Sequence, residues 1–483
     1  MANSWCMSKP RSTNDFNRAP SFTGPLVPAT MGTNPVKVSS CCSVVRRRFG
    51  TALTRYREHL LWSRRLRLQK RYDIMTSSDP VARRQLLKAG AGSAVGGALG
   101  GSAQASGTAD EPTRNVYDEL GVKTLINAAG TITTLGGSLM PPEVLGAWLA
   151  ASKSFVDLLE LQDRIGERIA DLLNVEAAMV TTGAAGGIMV GTAAALTFRD
   201  HTLVDRLPLP ADAGFEVIRQ QSHRAGYDKL VEVCGVKLVD VVTLDDLEHA
   251  ISERTAMMFS YNFREEESNI KRDQWVDVAR RHGIPTLLDA AADTPPVDRL
   301  WQYARMGFDM VVFSGGKGLR GPQDAGLLLG RKDLIEAAKL CTAPRSTIGR
   351  GMKVSKEDMV AMWSAVKRFV ELDPETEQRQ WEHRIRVIAE AVKDVPTVRA
   401  RTIVPPVANH VPHLLLLWDE GQLPISPEKV RRQLATGDPP IRTARVHGTG
   451  TEGLLISVFM LEPGEDQIVA GRLRAVLLRA VVT

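Results

Sequence analysis

The sequence has few cysteines, few aromatic residues and no long hydrophobic run. Five cysteines occur among 483 residues, and three of them lie before Met75: Cys6, Cys41 and Cys42. The other two form neither a disulfide framework nor a zinc-ligand spacing, so we expect no metal site. No stretch reaches the ~18 apolar residues that a membrane span requires, which predicts that the chain has no membrane anchor. The apolar content of 43% is still enough to bury a sizeable core.

Positive charge is concentrated at the N-terminus. Residues 1–74 contain fourteen basic and three acidic residues, a net charge of +11, whereas the whole chain carries +6. Residues 75–483 therefore carry −5. A mildly acidic body lacks the basic surface that nucleic-acid binding requires, so no nucleic-acid partner is expected. We interpret residues 1–74 as a non-native or disordered basic extension from a start codon placed too early. A genuine basic arm is the alternative.

Residues 75–105 have the pattern of a twin-arginine export signal. The paired Arg83 and Arg84 precede a weakly hydrophobic Ala/Gly segment, 89–101, and an Ala-x-Ala cleavage site at 103–105. This pattern predicts recognition by the twin-arginine translocase and a periplasmic or extracellular location, or a cytoplasmic one if the signal is not used. A Gly/Ala linker is the alternative interpretation.

The periodicity of the remaining chain predicts three parts: an N-terminal helical arm (106–175), a large domain (176–355), and a linking helix with a small C-terminal domain (356–483). In the large domain short apolar runs alternate with helical segments, which indicates an α/β fold with a doubly wound, mainly parallel sheet. The predicted strands are 178–181, 215–218, 237–241, 256–260, 285–289, 310–313 and 325–329. Ligands of such sheets bind beyond the carboxyl ends of the strands, so residues there are candidate site residues.

Lys317 is the first of these candidates. It follows the strand at 310–313 within Ser-Gly-Gly-Lys-Gly, where small residues permit close approach of other backbone segments. A lysine in such a crowded turn is suited to forming a Schiff base with an aldehyde cofactor. A glycine-rich phosphate-binding turn or a plain surface loop is the alternative.

Two further strand ends support the same chemistry. Asp289 closes an apolar strand, where its carboxylate needs a cationic partner such as a protonated pyridine nitrogen; a helix N-cap is the alternative. Gly183, Ala184 and Ala185 open a helix after the first strand, and their backbone N–H groups could hold a phosphate. Gly183 and Asp289 are 106 residues apart, and Asp289 and Lys317 are 28 apart. A predicted phosphate cup (Gly183, Ala184 and Ala185), an aspartate and a lysine in this order are stronger evidence for a cofactor site together than each is alone.

Six short motifs between residues 115 and 480 carry a family resemblance: Asn127-Ala128-Ala129-Gly130-Thr131, Thr182-Gly183-Ala184-Ala185, Ser222-His223-Arg224, Asp289-Ala290-Ala291, Ser314-Gly315-Gly316-Lys317 and Gly321-Pro322-Gln323. With them, residues 115–480 resemble the selenocysteine synthase (L-seryl-tRNA(Sec) selenium transferase)-like branch of fold-type I enzymes that use pyridoxal 5'-phosphate (PLP). This branch includes small-molecule lyases related to D-glucosaminate-6-phosphate ammonia-lyase. The resemblance implies the aspartate aminotransferase-like fold and a homodimer, or an assembly of dimers, with active sites at the interface.

The resemblance also implies roles for single residues. Lys317 would hold PLP as an internal aldimine, and Asp289 would pair with the pyridinium nitrogen. The phosphate would be held by Gly183, Ala184, Ala185 and Ser314. His223 would lie against the ring face, with a structural histidine as the alternative. Arg350 and Lys353 resemble the basic substrate-binding segment that follows the lysine, although an ordinary solvated turn is equally consistent with them.

The chain departs from selenocysteine synthases at three positions where they carry arginine: here Gly137, Thr347 and the strand end around Phe459. Loss of guanidinium groups removes bidentate anion recognition. We therefore predict a PLP enzyme acting on a small amino compound, with α-proton abstraction and β-elimination of the ammonia-lyase type. The alternatives are true seryl-tRNA selenium transfer and a non-catalytic secreted binding protein with the same fold.

Overall fold

The computed structural model describes residues 115–444 and 453–482. The expected basic extension and export signal lie outside these ranges. Four elements precede the large sheet: α1 (Val116–Glu119), β1 (Ile126–Ala128), α2 (Pro142–Ala151) and α3 (Leu158–Leu173). Helix α3 begins at Asp157, whose carboxylate accepts hydrogen bonds from the backbone N–H groups of Leu159 and Glu160. It ends at Asn174, which adopts the left-handed conformation at φ 51°.

The large domain alternates strands and helices, as the sequence pattern predicts. Its elements are β2 (Ala177–Thr181), α4 (Gly183–Thr197), β3 (Glu216–Gln220), α5 (Lys229–Glu232), β4 (Lys237–Val241), α6 (Leu244–Ala250), β5 (Thr255–Tyr261), α7 (Arg272–His282), β6 (Thr286–Asp289), α8 (Arg299–Met306), β7 (Met310–Ser314), β8 (Gly326–Gly330) and α9 (Lys332–Leu340). All seven predicted strands are present, with ends that differ by up to two residues.

These seven strands form one sheet in the order β2-β8-β7-β6-β5-β3-β4. Strand β8 is antiparallel to both of its neighbours, and the other pairs are parallel. Both faces of the sheet are covered by a hydrophobic core. In β6, for example, Leu287 packs into the core on one face and Leu288 into the core on the other. Burial of both faces is the reason the strands read as continuous apolar runs. The prediction of a mainly parallel α/β fold is confirmed.

The C-terminal part begins with two long helices. Its elements are α10 (Lys356–Glu371), α11 (Pro374–Val392), β9 (Arg399–Ile403), β10 (His413–Leu417), α12 (Pro427–Ala435), β11 (Ile441–Thr443), β12 (Leu454–Ser457) and α13 (Glu465–Val482). Strands β9, β10 and β12 form an antiparallel sheet with β10 in the centre. A separate core that includes Ile388, Leu414 and Leu473 lies between this sheet and helices α11 and α13. This is the small α/β lobe that the fold class predicts.

Two strands have no counterpart in the sequence-based expectation. Strand β1 lies in the segment expected to be a helical arm, and it pairs in parallel with β11, more than 300 residues later. A three-residue strand whose partner is so distant gives no local periodicity. Strand β9 contains four exposed residues in succession and therefore lacks the apolar alternation of a strand. The exact domain boundaries stay a prediction. In the described ranges no helix is long and apolar enough to cross a membrane.

Candidate active site

Lys317 lies in a turn where its neighbours must be glycine. A Cβ added at Gly316 would lie 2.4 Å from Cα of Gln323, and one added at Gly318 would lie 2.0 Å from the carbonyl oxygen of Thr294. At Gly315 an added Cβ would lie 2.7 Å from the carbonyl oxygen of Ala325. The crowding explains why Lys317 has glycine on both sides. A plain surface loop would not be packed in this way.

Asp289 is the last residue of β6, which lies next to β7 in the sheet. Its side chain is buried, with 5% of the residue exposed, and its Oδ1 accepts a hydrogen bond of 2.9 Å from the backbone N–H of Ala291. Burial raises the pKa of Asp289 to about 6, although that hydrogen bond and the charge of Lys317 act in the opposite direction. The next helix, α8, begins at Arg299, so Asp289 caps no helix. The N-cap alternative is wrong.

The predicted phosphate cup is formed where β2 leads into α4. Gly183 begins this fifteen-residue helix with φ +62°, a conformation that favours glycine. The helix crosses closely over β7, because a Cβ added at Gly187 would lie 2.7 Å from Cγ1 of Val312. The N-terminus of α4 therefore lies over the strand that leads to Lys317. Its N–H groups and helix dipole favour an anion.

Thr182 was not among the predicted site residues. It is the N-cap residue of α4, but its side chain makes no capping hydrogen bond. Among the described residues its Oγ1 is buried without a hydrogen-bond partner. A buried hydroxyl without a partner is costly, so Oγ1 is suited to a ligand oxygen. A threonine directly before the glycine turn was the available sequence signal. Ser314, the last residue of β7, is half-buried, and its backbone N–H donates to the carbonyl oxygen of Ala291 at 3.3 Å.

His223 is almost completely buried, with 1% of the residue exposed. Its Nδ1 accepts a hydrogen bond of 3.0 Å from the backbone N–H of Tyr261, and its Nε2 lies 2.7 Å from Oγ of Ser268. Because Nδ1 is the acceptor, Nε2 carries the proton. Burial, assisted by the charges of Arg264 and Arg219, lowers the pKa of His223 to about 4. The ring is therefore neutral and held at both nitrogens, which leaves only its faces for a ligand. Its contact with the cofactor ring stays a prediction.

A second buried carboxylate, Asp293, was missed by sequence reasoning. Its Oδ2 accepts hydrogen bonds from Asn262 Nδ2 and from the hydroxyl of Tyr303, the latter at 3.0 Å. Burial raises the pKa of Asp293, and the charges of Asp293 and Asp289 both act on the Lys317 ammonium group. Nothing in the apolar pattern distinguishes Asp293 from a loop residue. Only the fold brings it to Lys317.

Arg350 and Lys353 lie in an exposed segment after α9. Neither side chain forms an ion pair or a hydrogen bond within the part of the chain that the structure describes. The segment reaches the phosphate cup, because a Cβ added at Gly186 of α4 would lie 3.6 Å from Sδ of Met352. Thr347, in the same segment, has a buried Oγ1 without a partner among the described residues. The segment that carries these two cations and this hydroxyl therefore passes the start of α4 at Met352.

This chain has no arginine at positions 137, 347 and 459, where selenocysteine synthases carry one. A Cβ added at Gly137 would lie 2.5 Å from the carbonyl oxygen of Gly316, so no side chain fits there. Phe459 is buried and packs edge-on against Trp381. No guanidinium group is therefore available at 137, 347 or 459.

The residues around Lys317 fit PLP. The aldehyde, the pyridine nitrogen and the phosphate of PLP need an amine, a carboxylate and an anion site. Lys317 would supply the amine and Asp289 the carboxylate, and the Thr182 hydroxyl with the N-terminus of α4 would supply the anion site. Burial raises the pKa of Asp289 even though the positive charge of Lys317 acts on it, so a further cation at this carboxylate would be stabilised.

Comparison with known proteins gives the same assignment. D-glucosaminate-6-phosphate ammonia lyase from Salmonella typhimurium (strain 14028s / SGSC 2262) is 28% identical over 380 residues, 75% of this chain and 98% of that protein. A solved structure of D-glucosaminate-6-phosphate ammonia-lyase superimposes with a TM-score of 0.66 and 28% identity, over 76% of this chain and 99% of that one.

Two other relatives have different activities. A 5'-C-glycyluridine monooxygenase-decarboxylase from a Streptomyces species is 28% identical over 75% of this chain and 92% of its own length. An L-seryl-tRNA(Sec) selenium transferase from Desulfotalea psychrophila (strain LSv54 / DSM 12343) is 28% identical over 58% of this chain and 60% of its own length. The family model for L-seryl-tRNA selenium transferase matches residues 125–395. The chain therefore belongs to the L-seryl-tRNA selenium transferase family of PLP-dependent enzymes.

Proposed function

We propose that this enzyme removes the α-proton of a small amino compound and eliminates a β-substituent, as an ammonia lyase does. The observation that carries the proposal is the convergence of Lys317, Asp289 and the α4 N-terminus in a site that offers no guanidinium at positions 137, 347 and 459. The similarity to D-glucosaminate-6-phosphate ammonia lyase over nearly the whole of that protein supports it.

Each residue of the site has a defined task. Thr182 and the N–H groups of Gly183 and Ala184 would hold the phosphate, and Asp289 would hold the ring nitrogen in its protonated form. PLP, when bound, supplies an electron sink for the carbanion at the α-carbon. The buried face of His223 would limit tilting of the ring. These residues would hold the cofactor in one orientation beside Lys317.

Lys317 would act as the acid-base group at Nζ. Burial lowers the pKa of Lys317, while Asp289 and Asp293 raise it in part. A lysine with a lowered pKa is neutral in a larger fraction of molecules near neutral pH and can accept the α-proton. Because Nζ then carries this proton within the site, it can return it to the leaving group.

Seryl-tRNA selenium transfer is less well supported. It requires binding of a large polyanion and of an anionic selenium donor, for which guanidinium groups and a basic surface are suited. Residues 75–483 carry a net charge of −5, and position 137 cannot accept any side chain without displacing the Lys317 turn. Arg350 and Lys353 suit a small anionic group on the substrate instead, and we assign them to substrate binding.

A homodimer would complete the site. Large apolar side chains are exposed along the first fifty described residues, and Phe155 is fully exposed. The others of this apolar face include Val116, Leu120, Leu139, Leu145 and Leu149. Exposed large apolar side chains in such number are typical of a protein interface, and a second copy of the chain is the occupant that the family resemblance implies. Sedimentation of the purified protein at the mass of a monomer would contradict this assignment.

Export by the twin-arginine pathway remains part of the proposal. The paired Arg83 and Arg84 and the following Ala-x-Ala sequence support it. Substitution of both arginines by lysine should retain the protein in the cytoplasm. Mature protein that starts near Ser106 outside the membrane despite this change would contradict the assignment.

A substrate screen tests the proposed reaction. The purified protein would be incubated with amino acids, amino sugars and amino sugar acids, and ammonia and keto-acid release would be measured for the parent and for Lys317→Ala. We expect release that depends on Lys317. Lys317-dependent formation of selenocysteinyl-tRNA from seryl-tRNA(Sec) and selenophosphate would favour the transferase alternative. Absence of visible cofactor absorbance would favour a non-catalytic binding protein.

A further inference from the structure

Asp293 is held next to the lysine turn by the backbone. A turn formed by residues 290–293 closes with a hydrogen bond of 3.0 Å from the Asp293 N–H to the carbonyl oxygen of Ala290. The next residue, Thr294, touches the residue after Lys317: a Cβ added at Gly318 would lie 2.0 Å from the Thr294 carbonyl oxygen. Thr294 and Gly318 are therefore in contact, and Asp293 and Lys317 are the residues directly before them in the chain.

The Asp293 carboxylate is fixed by buried partners. Its Oδ2 accepts from Asn262 Nδ2 and from the Tyr303 hydroxyl. Arg272 NH1 in turn donates to Oδ1 of Asn262 at 2.7 Å, and Arg299 NH1 donates to the Tyr303 hydroxyl at 3.1 Å. These donors orient the carboxylate. Asn262 follows β5 and Tyr303 belongs to α8, so the carboxylate is fixed from two separate elements, and its charge acts on Lys317.

Two carboxylates act on one lysine, but they are not equivalent. Asp289 would pair with the protonated ring nitrogen, which would offset its charge when the cofactor is bound. Asp293 is instead hydrogen-bonded to Asn262 and Tyr303. We infer that Asp293 is a positioning residue that holds the Nζ of Lys317 in its protonated form during the part of the reaction in which Lys317 carries the α-proton. The inference rests on the proposed role of Lys317.

The charged and titratable groups that face this pair are known. Asp289 and Asp293 face Lys317, and Arg272, Arg299 and Tyr303 face Asp293. The two arginines stabilise the ionised form of Asp293, so they lower its pKa and act against the effect of burial. Replacing Asp293 by asparagine keeps an oxygen for Asn262 and Tyr303 but removes the charge that favours a proton on Lys317.

The test is a pH titration of visible absorbance on the full-length, cofactor-loaded protein. The absorbance reports protonation of the nitrogen that Lys317 contributes to the cofactor linkage. For Asp293→Asn we expect the titration midpoint to fall by about one pH unit, and for Asp293→Glu we expect most of the shift to be restored. The matched control is Asp298→Asn, which removes the same charge from an exposed residue five positions later.

Tyr303→Phe is a second, milder variant that tests the inference if Asp293→Asn does not fold. Tyr303→Phe leaves the carboxylate but removes a hydrogen bond that favours its ionised form, so the midpoint should fall by less than in Asp293→Asn. Coincident midpoints for the parent, Asp293→Asn and Tyr303→Phe would overturn the inference, as would an equal shift in Asp298→Asn. A parent protein with no titrating visible absorbance would instead refute the proposed function, so the two failures are distinguishable.

Discussion

The cofactor side of the site, at the ends of β6 and β7, consists of buried side chains with defined hydrogen bonds. The side that we assign to the substrate, residues 345–353, is largely exposed, and it contains two cations and a buried Thr347 hydroxyl that have no partner among the described residues. The first arrangement fixes the chemistry, since pyridine nitrogen, phosphate and amine need the same partners in every PLP enzyme. The second arrangement determines which amine is accepted. Members of one family can therefore share the cofactor side while their substrates range from small molecules to tRNA.

The largest expected effect comes from the cofactor side. Lys317→Ala should lower turnover by a factor of about 10³ or more, because one residue supplies both the covalent link and the acid-base group. Turnover would be measured as ammonia release, and folding by circular dichroism. Lys332→Ala is the control, since Lys332 is exposed and follows β8 at the opposite edge of the sheet from Lys317. Comparable losses in both variants would contradict the assignment.

Asp289→Asn should weaken PLP binding and lower turnover by about 10²-fold. The same substitution should increase the stability of the cofactor-free protein. The pKa of Asp289 in the folded protein, about 6, lies above the unfolded value of about 3.8. Cofactor-free protein should therefore lose stability as pH rises from about 4 to 6, and the cost persists above pH 6. At pH 8 the variant should be more stable by on the order of 2 kcal/mol.

Thermal melts of cofactor-free protein at pH 4 and pH 8 measure this effect, with the exposed Asp298→Asn as the control. Retained cofactor affinity together with unchanged turnover in Asp289→Asn would show that the carboxylate has another task.

Gly137→Ala tests the close contact between residue 137 and the turn that carries Lys317. The added Cβ would lie 2.5 Å from the carbonyl oxygen of Gly316 and should displace the Lys317 turn. Gly136→Ala is a matched control: its φ of +92° is also unfavourable for alanine, but its nearest neighbour is 4.0 Å away. We expect turnover to fall about tenfold more in the first variant than in the second. Equal activities in the two variants would show that the contact does not matter.

Removal of the two free cations should affect substrate binding alone. Arg350→Ala combined with Lys353→Ala should raise KM by about tenfold and change kcat by less than about threefold, because uniform binding is lost. Steady-state kinetics and the cofactor absorbance of the same preparation check both parts. A large fall in kcat with unchanged KM would move these residues to the cofactor side.

The smallest effect concerns His223 and is seen only in acid. Its pKa of about 4 lies below the ordinary value of 6.5, so the stability linked to its neutral form is complete above pH 6.5 and is lost as pH falls toward 4. His223→Gln should flatten the dependence of the melting temperature on pH in this window. The exposed His249, whose pKa is raised by Asp245, provides the control. A parent-like slope in His223→Gln would refute the assignment.

The cofactor side could largely be predicted from the sequence. Lys317, Asp289 and Gly183 each follow a buried strand, and the carboxyl ends of parallel strands meet at one edge of a sheet. Asp293 could not be identified, because its role depends on partners such as Tyr303. Thr182 precedes the glycine turn in the sequence, but its unpaired hydroxyl is visible only in the structure. The β1–β11 pairing and the steric block at Gly137 were equally hidden, since both depend on contacts between segments far apart in the chain.

Borohydride reduction of the purified full-length protein, followed by peptide mass spectrometry, tests the central claim most directly. Reduction would fix the cofactor to the nitrogen that holds it. The account predicts a phosphopyridoxyl group on Lys317 and on no other lysine. No adduct, or an adduct on another lysine, would contradict it.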